Sequence, residues 1–361
     1  MKITPNPNTV SHIPASHGGI FSIKNPNEKI IDFSSNVNPL GCHPGVKKYL
    51  KKQLHQIHIY PDSESTRLRS NLKWFTGINT SQILIGNGAT EIIYNFCSAF
   101  VNKKSKVLIP CPTFSEYEKA AKFFGGKIIP FNSLNLNTDF QNFLTNIPTK
   151  GIVFICNPNN PTGGILSKKN MQQIVKISEK KSTIVFVDET FIELVPDSNP
   201  SVVKNIKNHE NLFILRSFTK SFGLAGLRIG YGLGSKKIIE ILQRIKIPWN
   251  VNYIAQSAAS AALCYSDFLN KSQKNIKKEN LFLMNALSNL EWLSCFDSST
   301  NFILIKTKIN SKILQKKLLK KNILIRDCST FCGLDENYVR IAIKNRKENK
   351  ILVKALEEIK W

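Results

Sequence analysis

The sequence predicts an α/β protein: a large unit with a mostly parallel central sheet covered by helices, and a smaller α+β unit. Three observations predict it. Short apolar, β-branched runs recur at 107–109, 152–156, 183–187 and 212–215, and their continuous hydrophobicity suits strands buried on both faces. Helical apolar spacing fills the intervals at 91–100, 168–179 and 236–245, and strands alternating with helices build a helix-covered sheet. Beyond about Ala255 the pattern changes to long helical stretches and then strand-like runs at 301–305, 323–326 and 339–343. The division expected from this change is an arm with part of the smaller unit over 1–45, the large unit over 46–255, and the rest of the smaller one over 256–361.

A chain of 361 residues with 42% hydrophobic content can bury two cores. Lys and Arg outnumber Asp and Glu 50 to 25, a balance that steers anions. The basic residues lie in short scattered clusters without aromatic interleaving, so no nucleic-acid partner is expected. Eight cysteines at irregular spacings read as free, buried thiols rather than as a disulfide framework or a zinc site. No signal-peptide pattern opens the chain and no apolar run of membrane-spanning length occurs. A cytoplasmic location without membrane contact is therefore expected.

Four segments carry chemistry, each at a predicted strand end or helix start. Val185-Phe186-Val187-Asp188 ends a strand in a carboxylate, where parallel sheets place ligand contacts. Ser217-Phe218-Thr219-Lys220-Ser221-Phe222-Gly223 follows the next strand, with Arg228 close behind. A lysine can form an imine with an aldehyde, while hydroxyls and an arginine can grip a phosphate. Asn157-Pro158-Asn159-Asn160-Pro161 is a stiff turn able to present an amide. Gly86-Asn87-Gly88-Ala89-Thr90-Glu91 opens a helix whose free N–H groups suit an anion. Each alone is a weak signal; their order along one chain is not.

That ordered set resembles the fold-type I pyridoxal-phosphate enzymes of the class I/II aminotransferase superfamily, over essentially the whole chain. The resemblance implies pyridoxal 5'-phosphate held by Lys220 as a Schiff base, with Asp188 on the pyridine nitrogen and Asn160 on the ring hydroxyl. It implies a phosphate cup of Gly88, Ala89, Thr90, Ser217 and Arg228, and Phe114 stacked on the ring. Tyr60 matches a tyrosine that reaches the phosphate from a neighbouring subunit, which implies a homodimer with shared active sites. Where many aminotransferases carry a tyrosine three residues after the aspartate, this chain has Phe191, so Asn160 is the chief expected donor to the ring oxygen.

Within the superfamily, several segments are most similar to threonine-phosphate decarboxylases, followed by histidinol-phosphate aminotransferases. These are His17-Gly18-Gly19, the run from Asp32 through Asn38 to Gly41, Ile247-Pro248-Trp249-Asn250, Ile325-Arg326-Asp327-Cys328 and Tyr338-Val339-Arg340-Ile341. That similarity implies a small phosphorylated amino acid as substrate, bound by His17, Gly18, Asn38, Asn160, Arg326 and Arg340. It implies L-threonine O-3-phosphate decarboxylation in cobalamin biosynthesis, with histidinol-phosphate transamination as the alternative. A regulator that borrows the same fold would need an added DNA-binding module, and the stretches before His17 and after Arg340 are too short for one.

Overall fold

The computed structural model describes residues 7–196 and 200–360. Its large sheet has seven strands in the order Ile83–Gly86, Gly230–Gly234, Leu212–Ser217, Ile184–Asp188, Ile152–Cys156, Lys106–Cys111 and Lys127–Asn132. Gly230–Gly234 runs antiparallel to both neighbours, and the remaining pairings are parallel. The continuous apolar runs have the predicted cause. Val153, Ile155, Val185, Val187, Leu212 and Ile214 enter one core, while Ile152, Phe154, Phe186, Phe213 and Leu215 enter another on the opposite face. Successive side chains of a strand point to opposite faces, so covering both faces requires apolar residues at every position.

Helices cover the sheet where the periodicity places them, at Gly88–Phe100, Lys168–Lys180 and Lys236–Ile245. Ser167 and Ser235 start two of them by accepting hydrogen bonds from Asn170 N and Ile238 N, satisfying otherwise free amides of the first turn.

The smaller unit is a four-stranded antiparallel sheet in the order Arg326–Asp327, Tyr338–Ala342, Phe302–Thr307 and Leu293–Cys295. The single strand expected at 323–326 is in fact two. Ile323–Leu324 pairs in parallel with Ile31–Asp32, after which the chain turns and Arg326–Asp327 joins the four-stranded sheet. The N-terminal segment is thereby tied to the C-terminal part of the fold. Among the described residues all eight cysteines are free, although only Cys97, Cys111, Cys156 and Cys328 are fully buried. The expectation of buried thiols fails for Cys264 and Cys332, which are exposed. No helix among the described residues is long and apolar enough to cross a membrane, and no metal-binding cluster occurs among them.

Candidate active site

Parallel strands deliver their C-terminal ends to one edge of the sheet, and the chemistry-bearing residues gather there. A cavity of about 300 Å³ is lined by Ala89, Thr90, Phe114, Asn160, Asp188, Ser217, Lys220 and Arg228 from the large sheet's loops. Arg326 and Arg340 come from the smaller sheet, and His17 and Gly18 from the N-terminal segment.

Asp188 ends its strand fully inside the protein, where its carboxylate accepts hydrogen bonds from Tyr117 Oη at 2.6 Å and Thr190 N at 2.8 Å. Burial pushes its carboxyl up, and these bonds oppose the rise. Tyr117 escaped the sequence reading; it lies three residues after Phe114 and stacks on Phe154 at 5.2 Å, which fixes its ring beneath the carboxylate.

Lys220 sits in the short helix Phe218–Ser221, started by Ser217 Oγ accepting from Thr219 N. It lines the cavity. Burial, with Arg340 and Arg228 nearby, pushes its ammonium down to about 8. The turn is braced from behind. Asn38 N donates to Lys220 O, and Asn38 Nδ2 donates to Ser221 O and to Ser272 Oγ. Ser221 Oγ donates to Glu193, one of two buried carboxylates that flank Arg216, the other being Glu189. Asn38 therefore departs from its expected role as a substrate ligand. Its amide is consumed in holding the lysine turn, and it does not line the cavity.

Arg228 adopts a left-handed φ of 55° beside the start of the Gly88–Phe100 helix. A Cβ on Gly88 would lie 2.7 Å from Arg228 Nη2, so glycine is what lets the guanidinium approach the helix's free N–H groups. Arg340 Nη1 donates to Asn160 Oδ1, leaving the Asn160 Nδ2 donor for another partner, while Arg340 Nη2 donates to Ser34 O at 2.7 Å. Arg326 Nη2 donates to Ser16 O at 2.6 Å. Burial lowers both guanidinium groups, and neither has a carboxylate within ion-pair distance among the described residues. His17 Nε2 lies 2.6 Å from Glu116 Oε1, a partner the sequence reading also missed. Phe191 packs edge-on against Phe302 at 5.2 Å and offers no hydroxyl to the cavity. Tyr60 is 79% exposed beside Trp249 and lies outside the cavity of its own chain.

The match to known proteins runs the length of this architecture. The family model for aminotransferase class I and II covers residues 28–356. The chain belongs to that family. A histidinol-phosphate aminotransferase of Methanococcus aeolicus is 36% identical over 93% of this chain and 91% of its own. A protein of Caldanaerobacter subterraneus, provisionally named a threonine-phosphate decarboxylase, is 35% identical over 95% of this chain and 93% of its own. Among solved structures, histidinol-phosphate aminotransferase from Clostridium acetobutylicum superposes with a TM-score of 0.84 at 34% identity, covering 91% of this chain and 98% of that one. L-threonine-O-3-phosphate decarboxylase from Porphyromonas gingivalis gives 0.82 at 30%, with the same coverage of each chain.

Pyridoxal 5'-phosphate is the cofactor, and the cavity fits it. Asn36 Nδ2 and Arg340 Nε are buried donors without a protein partner beside the cavity, and a bound anionic group can satisfy them. Arg228, Ser217 and the helix start at Gly88 would hold the phosphate, Asp188 the ring nitrogen and Lys220 the aldehyde carbon.

Proposed function

We propose that the protein decarboxylates L-threonine O-3-phosphate, giving (R)-1-aminopropan-2-yl phosphate and CO2. The observation that carries this reading is the wall facing the substrate. His17, Ser34, Ser35, Asn36, Arg326 and Arg340 form it, and its charged groups are two buried guanidinium groups with no carboxylate at ion-pair distance among the described residues. The carbonyls of Ser16 and Ser34 are already bound to Arg326 and Arg340, and the buried Asn36 amide still lacks an acceptor. Such a wall suits a molecule with two anionic ends, a phosphate and a carboxylate.

Bound pyridoxal phosphate supplies an electron sink for the pair released when a bond at the substrate Cα breaks. Asp188 keeps the proton on the ring nitrogen that makes this sink effective. His17, the Gly18 N–H, Arg326 and Arg340 grip the phosphate, so the substrate is oriented from its phosphate end and the carboxylate is not pinned in the ring plane. CO2 then leaves without the bonding pair, and Lys220 Nζ delivers the proton that completes the new Cα–H bond. Its ammonium, pushed down to about 8, exchanges protons readily near neutral pH. The enzyme acts as a homodimer in this reading, Tyr60 reaching the partner's cofactor phosphate.

A second reading, transamination of histidinol phosphate, is favoured by relatives named for that activity. It would use the same Lys220 and Asp188 to move the Cα proton. Binding separates the two. Titration of the holoenzyme's visible absorbance should give L-threonine O-3-phosphate a Kd at least about tenfold below that of histidinol phosphate, one charge-assisted contact being worth roughly that much. Equal or reversed affinities would overturn the decarboxylase reading.

A further inference from the structure

The segment from Pro7 to Asp32 crosses the mouth of the cavity without burying a single residue. Val10, Ile13 and Phe21 are 70%, 71% and 89% exposed. The segment is therefore held by a few polar and ring contacts, and chain held in this way opens locally at low cost. On the smaller unit's side, Arg326 Nη2 donates to Ser16 O at 2.6 Å and Gly19 N donates to Ser34 Oγ at 2.8 Å. On the large unit's side the contacts converge on the Glu116–Phe123 helix. Asn8 Nδ2 donates to Phe123 O at 3.0 Å, and the His12 ring meets the Phe123 ring edge-on at 5.1 Å. His17 Nε2 lies 2.6 Å from Glu116 Oε1.

Glu116 is the unusual member of this set. It is buried, its side chain 6% exposed against 53% for His17, and a buried carboxylate is costly unless paired. Its other oxygen accepts from Tyr94 Oη at 3.1 Å, which fixes the carboxylate's orientation. Burial pushes the Glu116 carboxyl up, but the hydrogen bonds from His17 and Tyr94 outweigh it and hold the group below the usual carboxylate range. An ionised carboxylate can only accept, so His17 Nε2 carries the hydrogen of this bond. Nδ1 is then the one ring position that can take a further proton, on a residue that lines the cavity.

We propose that Glu116, oriented by Tyr94, is a positioning residue that latches the N-terminal strap closed and sets His17 to meet the substrate's phosphate through Nδ1. This rests on the reading above that His17 contacts a phosphorylated substrate. The latch ties the strap to the same helix that follows Phe114, so closing the cavity mouth and completing the substrate wall are one event.

The test uses the pyridoxal-phosphate-loaded protein and two readouts. Hydrogen exchange of the strap amides over 12–22 is followed by mass spectrometry in the wild type, Glu116→Gln, His17→Gln and the double variant. Loss of one charge-assisted hydrogen bond should speed strap exchange about tenfold in each single variant. The double variant should be no faster than either, because both remove the same bond. KM for L-threonine O-3-phosphate should rise about tenfold in Glu116→Gln while kcat stays within about twofold, which general loosening of the fold would not produce. Tyr94→Phe should move both readouts in the same direction by less. His17→Gln alters an exposed side chain, so it keeps the test open should Glu116→Gln fold poorly. Unchanged strap exchange in the single variants, additive effects in the double variant, or a faster strap with unchanged KM in an active decarboxylase would overturn the latch. Should the protein bind no L-threonine O-3-phosphate while the exchange pattern holds, the latch stands and the substrate reading falls.

Discussion

Replacing Lys220 by methionine in the cofactor-free protein should stabilise it near neutral pH, and the gain should vanish as the pH rises. The lysine's ammonium is brought from an ordinary 10.5 down to about 8 by burial and by Arg340 and Arg228. At roughly 1.4 kcal/mol per pH unit the gap amounts to about 3 kcal/mol, an upper bound because water in the cavity screens the charge. At pH 7 the lysine is protonated in both states, and the folded state bears the whole cost. Between about pH 8 and 10.5 the unfolded chain holds a proton that the folded chain has shed, so wild-type stability rises with pH through that window. Methionine preserves most of the stem's packing and removes the charge. Urea unfolding of both cofactor-free proteins at intervals from pH 7 to 10.5 should give a difference approaching 3 kcal/mol at pH 7 and shrinking towards zero. A variant no more stable than wild type at pH 7, or a difference independent of pH, would refute the claim that the site holds the Lys220 ammonium well below its ordinary range.

Three further substitutions test separate parts of the site. Tyr117→Phe removes one of the hydrogen bonds to Asp188 and should lower kcat about tenfold with little change in substrate KM; steady-state kinetics of the loaded enzyme checks this. Gly223→Ala should lower kcat at least about tenfold by shifting the lysine turn. Its Cβ would lie 2.5 Å from the Gly41 carbonyl on a residue with a φ of +68°, and single-turnover rates would register the shift. Phe302→Ala empties the space between Phe191 and Arg340 and should cost about 3–5 kcal/mol in urea unfolding.

Much of this architecture was legible because its strands are buried on both faces, which leaves long uninterrupted apolar runs. The Gly230–Gly234 strand was not. Its glycines give no hydrophobic signal, and they are there because a Cβ on Gly232 would fall 2.3 Å from the Phe213 ring. The lysine, the aspartate, the asparagine turn and the helix-start glycine were legible as local motifs, each tied to the end of an element. Their supports were not, because they come from distant chain. Tyr117 reaches Asp188 across 71 residues, Arg216 meets Glu189 across 27, and Glu116 meets His17 across 99. Asn38 shows the converse limit. It lies within a segment that resembles a substrate-binding one, yet its contacts with Ser221 and Ser272 turn it into a brace for the catalytic turn.

The central claim is tested most directly by incubating the loaded protein with L-threonine O-3-phosphate in D2O, with no keto acid present, and following CO2 and product mass together. The account predicts sustained turnover, one CO2 per aminopropanol phosphate formed, and one deuterium in each product at the carbon that lost its carboxylate. No CO2 here, with glutamate appearing once histidinol phosphate and 2-oxoglutarate are added to the same protein, would contradict it.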